Sequence, residues 1–223
     1  MQPGKPLIDF VWIVEHLDDI AEAILQHLQL TILPLAIGFV ISLVLAVWAV
    51  RQPRVYGPVT AITGILYTIP SLAAFAVLRP ITGLSLLTAV IPLTTYTLLI
   101  LVRNIVAGFN SVPADVLEAA EGMGYTRRER LLRVELPLAI PLMLAGLRLA
   151  SVTTIGLATV VSVLGNSFGG LGQLITEGLQ TFFPTKYLLG AVLSVVLAFG
   201  ADFLFVRFER RVTPWAHARA GVR

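Results

Sequence analysis

Residues 31–50 read TILPLAIGFVISLVLAVWAV, a stretch with no charge that ends against Arg51. An α-helix rises about 1.5 Å per residue, so about 20 mainly apolar residues cross the ~30 Å hydrocarbon core of a bilayer. The stretch meets that length and is too long for a strand. Similar runs lie at about residues 58–78, 84–102, 138–164 and 187–206. The expectation is an all-α integral membrane protein with about five transmembrane helices. A β-barrel is disfavoured, since its strands alternate apolar and polar residues.

Composition agrees with this reading. Hydrophobic residues make up 57% of the 223 residues and charged residues 13%, against about 45–50% and about 25% in soluble domains. So apolar a chain is not of the disordered class, and with no cysteine it is not a disulfide-stapled scaffold. The formal charge of +3 raises nucleic acid as a partner. The location of the basic residues decides against it.

With the N-terminus outside, the inner side holds Arg51, Arg54, Arg103, Arg127, Arg128, Arg130, Arg133, Arg148, Arg207, Arg210, Arg211, Arg219 and Arg223. The outer side holds only Lys5, Arg79 and Lys186. Thirteen against three satisfies the positive-inside rule for an N-out, C-in chain with an odd number of spans. The same bias explains the basic balance without any nucleic acid.

Residues 7–28 are of another kind. Phe10, Ile13, Val14, Leu17, Ile20, Ala21, Ile24 and Leu28 recur at helical spacing, and Glu15, Asp18, Asp19, Glu22 and Gln26 take the other face. This predicts an amphipathic helix, either along the outer membrane surface or free in solvent. A signal peptide is excluded, because acids and not bases precede the first apolar run. The chain thus divides into an external amphipathic segment (1–28), one membrane domain (29–211) and a cytoplasmic tail (212–223).

The loop at residues 104–137 is long for a membrane protein and carries helix signals of its own. Ser111, Pro113 and Asp115 supply a helix start. Gly122 and Gly124 are suited to the left-handed conformation that ends a helix. Thr126 and Glu129 have the spacing of a capping box, and the second helix carries Arg127, Arg128, Arg130 and Arg133 and stops before Pro137. A helix, a glycine turn and a second helix at the cytoplasmic face suit docking. In that reading Ala119 and Ala120 permit close approach, Glu118 offers a charge, and the arginines meet acids or lipid phosphates. The alternative is that the arginines only fix topology.

Glu118-Ala119-Ala120, followed at fixed spacing by Gly124, Val134 and Leu136-Pro137, resembles the EAA signature of permease subunits of bacterial ABC importers. Val134 stands where that family commonly has isoleucine. The resemblance covers residues 31–211 and implies a type I importer permease (MetI-like) fold in the bacterial or archaeal cytoplasmic membrane. It implies that loop 104–137 is a coupling helix seated in a groove of a separate ATPase, with Glu118, Ala119, Ala120, Gly124, Leu136 and Pro137 as coupling residues. It implies further partners: a second permease subunit, identical or sister, and an extracytoplasmic solute-binding protein. Residues 68–73 (TIPSLA), 112–124 and 134–141, with Gly169-Gly170-Leu171-Gly172, suggest the subgroup for glycine betaine, choline, carnitine and related osmoprotectants. Asn166-Ser167-Phe168 departs from that subgroup's pattern.

Neutral polar residues in the spans are candidates for a solute path: Tyr67, Thr68 and Ser71 beside Pro70, Thr95 and Tyr96 after Pro92, and Thr153 and Thr154. Proline frees backbone carbonyls toward a cavity, and tyrosine rings attract quaternary ammonium groups. Helix packing is the competing role, and Gly146, Ala150, Gly156, Ala158 and Ser162 fit it. Asp202 is expected to pair with Arg207 or Arg148 and not to relay protons. His16, His27 and His217 are expected outside the spans, so no proton-carrying chain crosses the membrane.

No enzyme is expected here. A P-loop ends in Gly-Lys-Ser/Thr, whereas Lys5 precedes proline and Lys186 precedes tyrosine. Metal-ligand spacing is absent, and no cofactor is expected in the chain, ATP and magnesium belonging to the partner ATPase. The expectation is the permease of an ATP-driven importer for compatible solutes. An importer for amino acids or small organic anions, an ATP-independent channel or carrier, and a membrane scaffold are the alternatives.

Overall fold

The computed structural model describes residues 7–164 and 168–215. Lys5, Asn166, Ser167, His217, Arg219, Arg223 and most of the tail lie outside the described residues. Twelve short and long segments follow one another, all helical: α1 (Phe10–Glu15), α2 (Leu17–Arg51), α3 (Pro53–Thr68), α4 (Ser71–Thr82), α5 (Leu86–Asn110), α6 (Ala114–Gly122) and α7 (Arg127–Arg130). A π-helical turn at Leu131–Glu135 then leads into α8 (Leu136–Val161) and a 3-10 turn (Ser162–Leu164), followed by α9 (Leu171–Gln180) and α10 (Pro184–Val212).

The amphipathic segment does not form a helix of its own. Asp9 caps α1 by accepting the Trp12 N–H at 3.0 Å, and the helix breaks at His16, whose ring donates to the Trp12 carbonyl at 2.8 Å. The remainder runs without interruption into the first span as the 35-residue α2. Asp18 and Asp19 stand in its first turn, where the helix dipole favours acids, and nothing between Leu17 and Thr31 stops the helix. At about 1.5 Å per residue α2 exceeds the membrane core, so its polar N-terminal turns project beyond it. His27 consequently belongs to a helix that crosses the membrane, contrary to expectation. It is fully buried, with Nε2 donating to the Ile155 carbonyl of α8 at 3.1 Å.

The second expected span is broken. Proline lacks an N–H and pushes the residue before it out of the helical region. Here Ile69 (ψ 127°) and Pro70 (ψ 133°) are extended, and α3 meets α4 at a bend of 89°. α3 begins beside the inner end of α2, and α4 ends beside the outer start of α5, so the pair crosses once. Among the described residues α2, α5, α8 and α10 are each long and apolar enough to cross a membrane, and the bent pair α3–α4, taken as one span, makes the fifth.

α5 is the axis of the bundle, packed against α2 on one side and α8 on the other. Its inner half, with Leu101, Val102 and Ile105, meets Ala46, Ala49, Ala139, Met143 and Ala150. Its outer half, with Ala89 and Leu93, meets Leu30, Phe75, Ala158 and Val161. Lipid tails are as apolar as leucine, so close backbone approach and not hydrophobic exclusion binds such helices. A Cβ on Gly108 would lie 2.8 Å from the Ala139 carbonyl oxygen and one on Gly146 2.5 Å from the Asn104 Cβ, so both glycines let α5 and α8 approach closely. Gly146, Ala150, Ala158 and Ser162 pack as expected, whereas Gly156 faces open space.

α8 differs from expectation at its start. The loop's second helix does not stop before Pro137; it widens into the π turn at Leu131–Glu135 and continues as α8. A wider turn relieves the clash between a proline ring and the carbonyl four residues back, so Leu136 stays helical (φ −61°, ψ −50°). The second helix of the cytoplasmic loop is thereby continuous with α8.

Candidate functional site

The cytoplasmic loop is built from local signals. α6 begins after Pro113, with Asp115 in its first turn. Ser111, expected to start α6, instead closes α5, its hydroxyl donating to the Gly108 carbonyl at 2.7 Å. α6 ends through Gly124, whose φ of +83° lies in the left-handed region. The Gly124 N–H donates to the Glu121 carbonyl at 2.9 Å and the Tyr125 N–H to the Ala120 carbonyl at 3.1 Å. The expected capping box is complete: Glu129 N–H donates to Thr126 Oγ1 at 3.3 Å, and Thr126 N–H donates to Glu129 Oε2 at 3.0 Å.

Glu118, Ala119 and Gly124 lie on the exposed rim of the turn, together with Met123 at 69% exposure. Ala120 does not: it is 1% exposed and packs inside the loop, so only one of the two alanines offers a surface. Leu136 and Pro137 are half-buried at the base, within the first turn of α8. One of the arginines expected to meet acids holds these parts together, through partners the sequence did not single out. Arg130 donates from Nε to Glu135 Oε1 at 2.7 Å and from Nη1 to Glu121, tying the end of α6 to the π turn. Only the alternation of Glu121, Arg130 and Glu135 marked it in the sequence.

A second cluster forms at the broken span. Tyr67 (39% exposed) sets its ring edge against Tyr96 at 6.1 Å between centroids and 83° between planes. Tyr96 is buried and donates its hydroxyl to the Ile69 carbonyl at 2.7 Å. Thr68 is exposed and Ser71 half-buried on either side of the break. Tyr67, Thr68, Ser71 and Tyr96 are thus brought together, and Thr95, half-buried one position away on α5, bonds its own helix at the Pro92 carbonyl (2.7 Å). Thr153 is half-buried on α8 and likewise bonds the Leu149 carbonyl. Thr154 stands apart, 1% exposed with its hydroxyl on the Ala150 carbonyl at 2.8 Å, in the core and not at a surface.

One ion pair joins two of the long apolar helices. Arg148 on α8 meets Asp202 on α10 with both carboxylate oxygens engaged, Nη2 to Oδ2 at 2.9 Å. Of the two partners expected for Asp202, Arg148 is the one found. On the outer face the Gly170 N–H donates to Gln26 Oε1 at 2.8 Å, which seats the glycine-rich segment on α2. Below it Glu177 accepts from Gln173 at 2.6 Å and from Lys186 at 3.0 Å. Burial alone would raise the Glu177 carboxyl, but those bonds and the Lys186 charge hold it below the ordinary carboxylate range.

Residues 38–214 match the family described as the inner membrane component of binding-protein-dependent transport systems. The chain belongs to that family. It is a multi-pass permease subunit of an ABC transporter, and its relatives agree. It is 35% identical over 189 residues to the glycine betaine/carnitine/choline transport system permease protein OpuCB of Bacillus subtilis, covering 85% of this chain and 86% of that one. To the carnitine transport permease protein OpuCB of Listeria monocytogenes it is 35% identical over 198 residues, 88% and 90% of the two chains. To the osmoprotectant import permease protein OsmW of Salmonella typhimurium it is 34% identical, covering 87% and 92%. In fold, this permease superposes on a chain of the inward-facing MetNI methionine ABC transporter with a TM-score of 0.78 at 26% identity, over 89% of this chain and 98% of that one.

Proposed function

We propose that this permease forms the path by which a compatible solute such as glycine betaine, choline or carnitine enters the cell, driven by ATP hydrolysis on a separate subunit. The observation that carries the coupling half is the loop: an exposed Glu118, Ala119, Met123 and Gly124 rim, braced by Arg130 and continuous through the π turn with α8. A push on that rim is delivered to a membrane span without an intervening flexible link. The partners in this reading are two ABC ATPase subunits holding ATP and magnesium, a second permease subunit, and an extracytoplasmic binding protein that delivers solute from outside. The chain itself holds no cofactor and performs no catalysis.

The cargo half rests on the named transport of the relatives and on the Tyr67–Tyr96 pair. An aromatic ring face attracts a quaternary ammonium group, and these two rings meet at the break between α3 and α4. Tyr67, Thr68, Ser71, Thr95, Tyr96 and Thr153 are the side chains proposed for the path, with Thr154 in a supporting role behind them.

The test of coupling is co-purification with the ATPase. Glu118→Lys reverses an exposed charge that makes no side-chain bond among the described residues, so the variant is expected to fold and to lose the ATPase. An undiminished complex would remove the docking role from this rim.

A further inference from the structure

α2 and α10 both pack on α8 but part from each other along the membrane. Between them lies a groove of about 690 Å³, walled by Ile32 and Leu35 of α2, Ser151 and Ile155 of α8, and Leu197 and Leu204 of α10. We propose that this groove holds an acyl chain of an anionic phospholipid of the cytoplasmic leaflet, with its phosphate bound by Arg207 and Arg211.

The wall has no polar group left to satisfy. The two hydroxyls that line it, of Thr31 and Ser151, donate to the carbonyls of His27 (2.9 Å) and Arg148 (2.8 Å) within their own helices. An apolar trough inside a membrane-spanning stretch is filled by what surrounds it, and that is hydrocarbon. The groove opens at its outer end between Ile24 and Leu28 of α2 and Leu171 of α9, and along α10 it runs from Leu193 to Phe208 at the cytoplasmic end, about 22 Å at the helical rise. That is room enough for one leaflet's chain.

Charge decides which lipid. At 100° per residue, Arg207 and Arg211 continue the face of Leu197, Leu204 and Phe208 toward the cytoplasmic end, whereas Arg210 and Glu209 fall outside it. Both arginines are exposed, and neither has an ion pair among the described residues. Asp202, which follows the lining residue Ala201 on α10, is already engaged by Arg148. A guanidinium fork matches a phosphate in geometry and sign, and basic residues near the inner leaflet select anionic headgroups. The inference is independent of the transported cargo.

The experiment is native mass spectrometry of the permease–ATPase complex purified from membranes containing phosphatidylglycerol and phosphatidylethanolamine. The wild type is expected to retain phosphatidylglycerol selectively. Replacing Arg207→Gln and Arg211→Gln together lowers that retention by roughly tenfold to thirtyfold, as for the loss of two arginine–phosphate attractions at the interface. Gly200 lines the groove, and a Cβ there meets nothing within 4 Å. Gly200→Leu is therefore expected to fill the trough and expel the chain while the complex stays assembled. Three results would each overturn the proposal: equal retention of both lipids by the wild type, retention unchanged in both variants, or efficient disulfide cross-linking of Leu204→Cys to a second permease chain. The first needs no variant, so a folding defect in either mutant leaves the proposal exposed to refutation.

Discussion

The hydroxyl of Tyr96 on α5 donates to the backbone carbonyl of Ile69, 2.7 Å away, at the break between α3 and α4. Ile69 lies outside both helices, and a carbonyl left without a partner in a membrane costs several kcal/mol. Tyr96 therefore makes the broken span tenable. Tyr96→Phe keeps the ring against Tyr67 and deletes the bond. The expected result is a loss of about 1 kcal/mol in stability, read as a lowered melting temperature in detergent, while Tyr67→Phe leaves the melting temperature unchanged.

The loop brace gives a second prediction. Arg130→Met removes both ties, to Glu121 and to Glu135, without touching the exposed rim. Association with the ATPase is expected to persist, whereas solute-stimulated ATP hydrolysis falls, because the rim no longer moves rigidly with α8. Equal loss of association and stimulation would mean that the brace serves only the fold.

Arg148 and Asp202 form the third test. Removing one partner leaves the other charge unpaired on a membrane-spanning helix, which is unfavourable. Asp202→Asn is expected to lower the melting temperature markedly, and Arg148→Met to do the same. The double variant should be milder than the sum of the two, a positive coupling in a double-mutant cycle. Additive effects would show that the ion pair contributes nothing.

The fourth is a pH dependence on the outer face. The folded carboxyl of Glu177 lies below the ordinary range, first against the cost of burial and then through Gln173 and Lys186. A depressed carboxyl stabilises the fold above the ordinary carboxylate range and loses that effect as pH falls through the lowered folded value. The wild type is expected to melt above Glu177→Gln at neutral pH, the difference vanishing on acidification. A difference that grows toward acid pH would have the wrong sign for this brace.

Signals confined to a few residues were legible in the sequence. Thr126 and Glu129 were read as a capping box, Gly124 as a left-handed turn and Asp202 as a structural partner, because each depends on near neighbours or on the cost of an isolated charge. The family resemblance and the long apolar helices were legible for the same reason, resting on an exact spacing and on long apolar runs. What stayed hidden depends on relative direction. Pro70 announces a break but not a bend of 89°, since the angle is set by where α5 offers Tyr96. Pro137 reads as a helix stop, and only a π turn at Leu131–Glu135 lets the chain continue through it. The amphipathic pattern of residues 7–28 cannot say whether the helix turns along the membrane or runs on into it. Nor can an Ala-Ala step show that Ala119 faces out while Ala120 faces in.

The central claim is ATP-driven import of a quaternary amine, and uptake measures it directly. Proteoliposomes would hold this permease, its ATPase subunits and its binding protein, with ATP inside and labelled glycine betaine, choline or an amino acid outside. The account predicts accumulation of a quaternary amine that requires ATP and is lost with Glu118→Lys. Uptake of a quaternary amine without ATP, from an intact complex, would contradict it.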